Sequence, residues 1–217
     1  MRNNRNTISI PDLSLETAAR GAGHSVIAGV DEAGRGPWAG PVVAGAAVLN
    51  MVHLSSALRD GLDDSKKLKT AAREDLFERL SGEAQIGVGR AEVSEIDAQN
   101  ILQATLLAMA RAVAHIGVTP DMVLVDGNQE PALTCSIQCI VRGDERSLSI
   151  AAASIVAKVS RDRIMAELAG EYPGYGWERN AGYGTAEHQG ALERLGVTSH
   201  HRRSFRPIIK MLGYERP

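Results

Sequence analysis

The sequence predicts an α/β fold in which helices cover a parallel or mixed sheet. Of its 217 residues, 44% are hydrophobic but only 4% are aromatic. The core must therefore be built mostly from Val, Ile, Leu and Ala, as in sheets that helices cover on both faces. Short apolar runs that are typical of strands alternate with segments of helical periodicity. A chain of this length can bury one sizeable core, so we predict one globular domain.

The first two predicted strands, residues 26–30 and 42–49, flank a loop rich in Gly and Pro. Asp31 and Glu32 continue the first strand without a break, so they lie at the mouth of a buried sheet. An ionised carboxylate there is costly unless a partner replaces the lost water. Mg²⁺ or Mn²⁺, which prefer hard oxygen ligands, would be such a partner. A strand that ends in a solvated Asp-Glu pair is the alternative interpretation.

The segment Gly34-Arg35-Gly36 follows these acids and favours a ligand site over the solvated pair. Glycines on both sides of an arginine let the main chain approach a ligand closely, and the guanidinium supplies a planar, charged donor group.

Residues 61–68 are predicted to open a helix of about a dozen residues, with Ser65 as its N-cap. Taken alone, Lys66 and Lys67 beside it are better interpreted as two solvated lysines than as ligands. A third strand is predicted over residues 86–91. Ser94-Glu95-Ile96-Asp97 has the form of a capping box and is predicted to begin a long helix.

Two further predicted strands end in acids. Residues 122–125 lead into Asp126, and residues 137–141 lead toward Asp144 and Glu145. We expect Asp126 to emerge at the same kind of sheet edge as Asp31, because an apolar run without a polar break indicates a strand covered on both faces. A turn aspartate is an equally good interpretation of the Asp126-Gly127 pair. Whether Asp144 or its neighbour points inward stays open.

The last third of the chain predicts a strong helix from Ser147 and two glycine-rich loops. Lys158 and Arg161 share one face of that helix with Ser154, although an ordinary solvated face is the alternative. Tyr183 lies between two glycines that are too small to bury it, which suits a ring that stacks on a sugar or base. A tyrosine packed over a loop, which is more frequent in general, is the alternative. Residues 200–207 gather positive charge in a patch suited to phosphates.

The acids at three strand ends could not all stay ionised in mutual contact, because like charges raise one another's pKa. Two divalent cations roughly 3.5–4 Å apart would neutralise them and activate water for in-line attack on a phosphodiester. The sequence has no Walker loop, Gly-x-Ser-x-Gly motif or Cys-His pairing. Phosphodiester hydrolysis is the best chemical fit.

Composition sets further limits. A formal net charge of -2 provides no global basic field for nucleic acid, so binding must come from local patches. Cys135 and Cys139 would lie roughly 13 Å apart on a strand, too far for a disulfide, and indicate a reducing compartment. We find no membrane-spanning segment or signal peptide and expect a cytoplasmic protein. Residues 1–24 are predicted to be a flexible N-terminal extension, with the catalytic domain at residues 25–217.

Several blocks, taken together and in order, resemble the signature of type II ribonuclease H. The blocks span residues 31–42, 64–68, 126–127, 149–162, 182–185 and 201–205. The resemblance implies a ribonuclease-H-like fold with a mixed five-stranded sheet, flanking helices and a C-terminal helical portion. It also implies an endonuclease that hydrolyses the RNA strand of RNA–DNA hybrids and nicks 5′ of single ribonucleotides in duplex DNA. The products would carry 5′-phosphate and 3′-hydroxyl ends.

The resemblance also implies roles for individual residues. The catalytic acids, which would hold two Mg²⁺ or Mn²⁺ ions with substrate bound, are Asp31, Glu32, Asp126 and Asp144. The segment Gly34, Arg35 and Gly36 would read the ribose 2′-hydroxyl, and Tyr183 would stack at the RNA–DNA junction. The residues expected to hold phosphates are Ser65, Lys66, Lys158, Arg161, Arg202 and Arg203.

Two other functions share part of this pattern. A metal-dependent phosphomonoesterase would keep the acids without needing the Gly-Arg-Gly segment or Tyr183. A non-catalytic RNA–DNA hybrid-binding protein would gain nothing from carboxylates at a phosphate site. For the nuclease we expect a monomer that acts in ribonucleotide excision and primer removal.

Overall fold

The computed structural model describes residues 10–213, and a mixed five-stranded sheet lies at their centre. The strands are β1 (Ile27–Ala33), β2 (Val42–Leu49), β3 (Ala84–Ala91), β4 (Met122–Asp126) and β5 (Ser136–Ile140). Their order across the sheet is β3-β2-β1-β4-β5. The strand β2 is antiparallel to both neighbours, whereas β1, β4 and β5 run parallel. All the predicted strands are present.

Helices cover the sheet and continue into a C-terminal helical portion. They are α1 (Ser14–Gly21), α2 (Ser56–Gly61), α3 (Thr70–Glu83), α4 (Val93–Gln99), α5 (Ile101–Ala114), α6 (Leu148–Glu171), α7 (Trp177–Asn180), α8 (Ala186–Leu195) and α9 (Arg206–Met211). A 3₁₀ turn, Gly143–Glu145, follows β5. Within residues 10–213, none of these helices combines the length and apolar character needed to cross a membrane.

Helix α6 lies unusually close to β1 and β2. A Cβ atom at Gly45 would lie 2.3 Å from the carbonyl oxygen of Ala153, and one at Gly29 would lie 2.1 Å from the carbonyl carbon of Ser149. Only glycine leaves room for helix backbone at these two positions. Because Gly45 is the register partner of Asp31, this contact places α6 directly across the strands beside that acid.

Two predicted helix starts were wrong. The helix expected after Ser65 begins at Thr70, because residues 64–68 form a turn that Arg73 holds through the carbonyl oxygens of Ser65 (3.0 Å) and Leu68 (2.6 Å). These bonds use main-chain groups that a helix from Ser65 would need. The short helix α2 was not predicted.

The helix expected from Ser94 is two helices. Its capping box consists of Glu92 and Glu95 rather than Ser94 and Asp97. Asn100, at a φ of 75°, then breaks the helix, and its side chain accepts hydrogen bonds from main-chain N–H groups at the start of α5. Six residues of α5 are buried: Ala104, Thr105, Ala108, Met109, Ala112 and Val113.

Within residues 1–24, which were expected to be a flexible extension, the described part contains helix α1, whose Glu16 and Ala19 are buried. Glu16 on α1 is 1% exposed. Its Oε1 accepts hydrogen bonds from the hydroxyls of Ser147 and Ser149, both at 2.6 Å, and from the Ser149 N–H at 3.0 Å. These contacts join α1 to the first turn of α6. Residues 1–9 lie outside the described part of the chain.

Candidate active site

Three carboxylates meet at one edge of the sheet. Asp31 and Glu32 lie near the end of β1, and Asp126 ends the parallel strand β4. The register pairs Val30 with Val125, so the acids that follow these two residues emerge side by side. Oxygen atoms of the three carboxylates lie within 4.8 Å of one another. The predicted convergence of these acids is confirmed.

Asp144 joins this edge from the 3₁₀ turn after β5. The N–H of Gly143 donates to Asp126 Oδ1 at 2.6 Å and draws the turn against the other acids. Burial and the nearby charge of Asp126 raise the pKa of Asp144 to about 6. The adjacent Glu145 forms ion pairs with Lys67 and Arg142 instead. Of the two adjacent acids, Asp144 therefore faces the site.

The electrostatics of this cluster fit a divalent cation. Asp31 is 4% exposed, and burial together with the charges of Glu32 and Asp126 raises its pKa well above the ordinary value. Burial also raises the pKa of Glu32, although Arg35, which donates to Glu32 Oε1 at 3.2 Å, partly offsets the effect. The set offers only hard oxygen donors and an excess of negative charge, which suits Mg²⁺ or Mn²⁺.

Lys66 lies beside the acids on the turn that follows β2 and α2. Its side chain is 74% exposed. Partial burial lowers its pKa, but the carboxylates of Asp31 and Asp64 outweigh this effect and raise the pKa overall. The ammonium group thus stays charged next to the acids, 4.0 Å from Asp64 Oδ1, and is accessible to an incoming anion.

The glycine-rich loop after β1 and the loop carrying Tyr183 share one surface. Gly34 has a φ of +96°, and a Cβ there would lie 2.0 Å from Arg161 Nε, so glycine is required. A Cβ on Gly36 would lie 3.4 Å from Tyr183 Cε1. Tyr183 is 49% exposed. The structure therefore brings the Gly-Arg-Gly segment and an accessible aromatic ring together, as the two sequence patterns had suggested separately.

Two predicted phosphate ligands are not on the surface. Arg161 is 2% exposed and Arg202 is 0% exposed, and both donate to main-chain carbonyl oxygens. The expectation that they hold phosphates was wrong, because carbonyl groups from distant loops already occupy their guanidinium groups. Lys66 and Arg203 are exposed, whereas Ser65 is buried and Lys158 pairs with Asp162.

A pair of buried histidines supports the Tyr183 loop and was missed by sequence reasoning. The Nε2 atoms of His188 and His201 lie 3.1 Å apart. Because the carbonyl oxygen of Tyr183 must accept, His188 Nδ1 donates to it at 2.9 Å. The N–H of Thr198 donates to His201 Nδ1, so the ring proton of His201 lies on Nε2. His201 Nε2 therefore donates to His188 Nε2. The two histidines are 13 residues apart, a spacing that matches no sequence pattern.

A groove of about 210 Å³ adjoins the acids on the side of α5. Its lining includes the acids Glu32 and Asp126 together with Leu102 and Met109 of α5. Met109 is buried, whereas Leu102 is partly exposed.

Comparison with known proteins agrees with this site. Residues 28–208 match the sequence profile of the family described as Ribonuclease HII. The chain belongs to the ribonuclease HII family. Ribonuclease HII of Rhodospirillum rubrum is 58% identical over 205 residues, covering 94% of this chain and 92% of that protein. Ribonuclease HII of Ruegeria pomeroyi is 57% identical over 206 residues, covering 94% and 86%.

The fold is shared with a solved structure as well. Ribonuclease H2 from Pyrococcus horikoshii superposes with a TM-score of 0.71 at 28% identity, covering 86% of this chain and 97% of that one. The ribonuclease-H-like architecture is thus confirmed, and the chain is a ribonuclease H enzyme. Ribonuclease HII enzymes act on RNA–DNA hybrids, and the carboxylate cluster described above fits the divalent metal that this family uses.

Proposed function

We propose that this protein cleaves the RNA strand of RNA–DNA hybrids and nicks 5′ of single ribonucleotides in duplex DNA. The products are 5′-phosphate and 3′-hydroxyl ends, and the biological roles are ribonucleotide excision and primer removal. The observation that carries this proposal is the position of Asp31, Glu32 and Asp126 at the foot of the Gly34–Gly36 loop. A site for phosphodiester cleavage thus adjoins a surface suited to recognising ribose.

The four acids Asp31, Glu32, Asp126 and Asp144 would hold Mg²⁺ or Mn²⁺, with two ions present once substrate is bound. Such ions neutralise the phosphate and favour attack by water. The chain's own part is to hold the carboxylates in place. Arg35 orients Glu32 through its hydrogen bond, and the Gly143 N–H orients Asp126.

The residues around the acids position the nucleic acid. Lys66 presents an exposed ammonium beside the cluster and would contact a phosphate next to the scissile one. Arg203 is exposed on the terminal segment and would contact the backbone further away. The segment Gly34–Gly36 would contact the 2′-hydroxyl, and the half-exposed ring of Tyr183 would stack on the adjoining sugar. All of these groups come from one chain, which supports action as a monomer.

The two alternative functions fit less well. A phosphomonoesterase would have no use for an exposed aromatic ring 3.4 Å from the Cβ position of Gly36. A hybrid-binding protein without activity would be weakened by four carboxylates where a phosphate must lie, because like charges repel.

One assay separates the three functions. The protein is incubated with Mg²⁺, Mn²⁺ or EDTA and with each of three substrates: a duplex containing one ribonucleotide, an RNA–DNA hybrid, and an aryl phosphate. We expect metal-dependent cleavage of the two nucleic acids, 3′-hydroxyl ends and no release of phosphate from the aryl ester. Release of phosphate from the ester would indicate the phosphomonoesterase. Tight duplex binding without cleavage under either metal would indicate the binding protein.

A further inference from the structure

Two buried guanidinium groups lie beneath the Gly-Arg-Gly loop without a carboxylate partner. Arg161 is 2% exposed and Arg202 is 0% exposed. No acid of residues 10–213 lies within 4.0 Å of either group. Burial lowers the pKa of Arg161 to about 10 and that of Arg202 to about 9, yet both stay charged at neutral pH. Buried charges of this kind are costly and need strong compensation.

Main-chain carbonyl groups of the loop compensate the charge of Arg202. Its Nη2 donates to the carbonyl oxygen of Gly34 at 2.6 Å, and its Nη1 donates to that of Arg35 at 3.0 Å. Its Nε and Nη2 also donate to the carbonyl oxygens of Gly40 (3.0 Å) and Pro41 (3.2 Å). One side chain therefore holds both ends of the loop between β1 and β2.

Arg161 joins this loop to the loop of Tyr183. Its Nε and Nη2 donate to the carbonyl oxygens of Pro41 (3.0 Å) and Ala39 (3.1 Å). Its Nη1 donates to the carbonyl oxygen of Ala181, two residues before Tyr183, at 2.9 Å. A single rigid guanidinium thus fixes the distance between the two loops.

The inward carbonyl groups determine where the amide protons point. In a trans peptide, the C=O of one residue and the N–H of the next point in opposite directions. Because the carbonyl groups of Gly34 and Arg35 point at Arg202, the N–H groups of Arg35 and Gly36 point away from it. Both residues are exposed, and no acceptor among residues 10–213 takes either N–H. Successive free N–H groups of this kind bind anionic or hydroxyl oxygens.

We propose that Arg202 and Arg161 are positioning residues that set the selectivity for a ribonucleotide. Arg202 turns the Arg35 and Gly36 amides toward the sugar and phosphate of the substrate, and Arg161 holds Tyr183 at a fixed distance from them. Neither arginine touches the substrate. This inference rests on the proposed function, since it names the residues that make the ribose-reading surface.

The test uses Arg202→Lys and Arg161→Lys, which keep the charge but lose the planar donor fork. The control is Arg163→Gln. Arg163 lies on α6, as Arg161 does, but it is exposed and pairs with Glu74 and Glu78 instead of loop carbonyl groups. Three kinds of measurement are made for each protein: kcat and KM on a duplex with one ribonucleotide, Mn²⁺ affinity without substrate, and the NMR chemical shifts of the Arg35 and Gly36 amides.

We expect each lysine variant to raise KM on the single-ribonucleotide duplex by about tenfold or more, with Mn²⁺ affinity changed by less than about twofold. The amide chemical shifts should change most at Arg35 and Gly36, with little change within β1 or β4. The control should match the wild type. Unchanged KM and unchanged chemical shifts at both amides in a folded Arg202→Lys protein would overturn the inference. So would a rise of KM accompanied by comparable losses of kcat and Mn²⁺ affinity, which indicates a merely structural role.

If the lysine variants do not fold, the wild-type protein still decides the question. The Arg35 and Gly36 amide resonances should shift on addition of the single-ribonucleotide duplex and shift less with an all-deoxy duplex of the same sequence. Equal shifts, or none, would overturn the inference. Should the wild type cleave no nucleic acid, the proposed function fails, while the amide chemical shifts of the free proteins separately report whether Arg202 orients these amides.

Discussion

At the scale of single residues, the site combines charges that the fold makes unfavourable. Asp31 is buried against two other acids, so its carboxyl binds a proton more tightly in the folded protein than in the unfolded chain. Without metal, ionising it at neutral pH therefore lowers the stability of the fold. The same clustered negative charge that lowers the stability of the metal-free protein makes the site bind a cation strongly.

Asp31→Asn should consequently stabilise the metal-free protein. The variant keeps the Oδ1 that accepts the Glu32 N–H at 2.7 Å but removes the charge. We expect Tm in EDTA to rise by about 2–4 °C for each kcal/mol gained, and the stabilisation by Mn²⁺ to disappear. The exposed Asp60→Asn should change neither quantity. A lower Tm for Asp31→Asn, with Mn²⁺ stabilisation intact, would contradict this view of the cluster.

The histidine pair makes stability depend on pH. Burial and the neighbouring His188 lower the pKa of His201 from 6.5 to about 3. The contribution of neutral His201 to the free energy of unfolding is therefore complete above pH 6.5. It is lost as the pH falls from 6.5 toward 3, because the unfolded chain then binds a proton that the folded protein excludes. The loss has a slope of at most about 1.4 kcal/mol per pH unit.

Urea unfolding at several values between pH 7 and pH 4 checks this contribution. In His201→Asn, the side-chain oxygen replaces Nδ1 as acceptor for the Thr198 N–H, and the variant should show a shallower loss of stability than the wild type. His53→Asn, at an exposed position, should follow the wild type. Parallel curves for wild type and His201→Asn would show that this histidine is not excluded from protonation.

At the scale of secondary-structure elements, the N-terminal helix stabilises the helix that crosses the sheet. Glu16 accepts three hydrogen bonds at the first turn of α6, where a negative charge also interacts favourably with the helix dipole. Glu16→Ala should lower the free energy of unfolding by about 2–3 kcal/mol, since it leaves two buried hydroxyls without this partner. The measurement is urea unfolding, with the exposed Thr17→Ala as control. Equal stability of the two variants would mean that the Glu16 hydrogen bonds contribute nothing to the stability of the domain.

The elements also show what sequence patterns can and cannot predict. Strands β1, β2 and β4 were predictable from continuous apolar runs, as at residues 42–49, whereas in β3 and β5 apolar residues alternate with others. The starts of helices were less predictable, because side-chain hydrogen bonds compete with the hydrogen bonds of a regular helix. Arg73 draws the residues after Ser65 into a turn, and Asn100 divides α4 from α5. Nothing local distinguishes α1, whose anchor lies 131 residues away at Ser147.

At the scale of the whole molecule, the convergence of the acids was predictable, whereas the buried arginines that hold the loops in place, Arg161 and Arg202, were not. Asp31 and Asp126 stand at the ends of apolar runs, and parallel strands bring such ends to one edge. No sequence pattern predicts the burial of Arg161 and Arg202, because charged side chains are seldom buried. Their partners lie 20 to 168 residues away and are main-chain carbonyl groups, which any sequence provides. Only the folded chain reveals that these arginines build the loop instead of binding phosphate.

The central claim is that the converging carboxylates carry out metal-dependent cleavage beside a ribose-reading surface. Asp126→Asn tests it most directly, in a single-turnover assay on a duplex with one ribonucleotide in saturating Mn²⁺ or Mg²⁺. We expect the variant to bind the duplex at least as tightly as the wild type, since it removes a negative charge. We also expect it to lose about a thousandfold or more in the rate of nicking 5′ of the ribonucleotide. An Asp126→Asn protein that binds the duplex and nicks it at the wild-type rate would contradict the account.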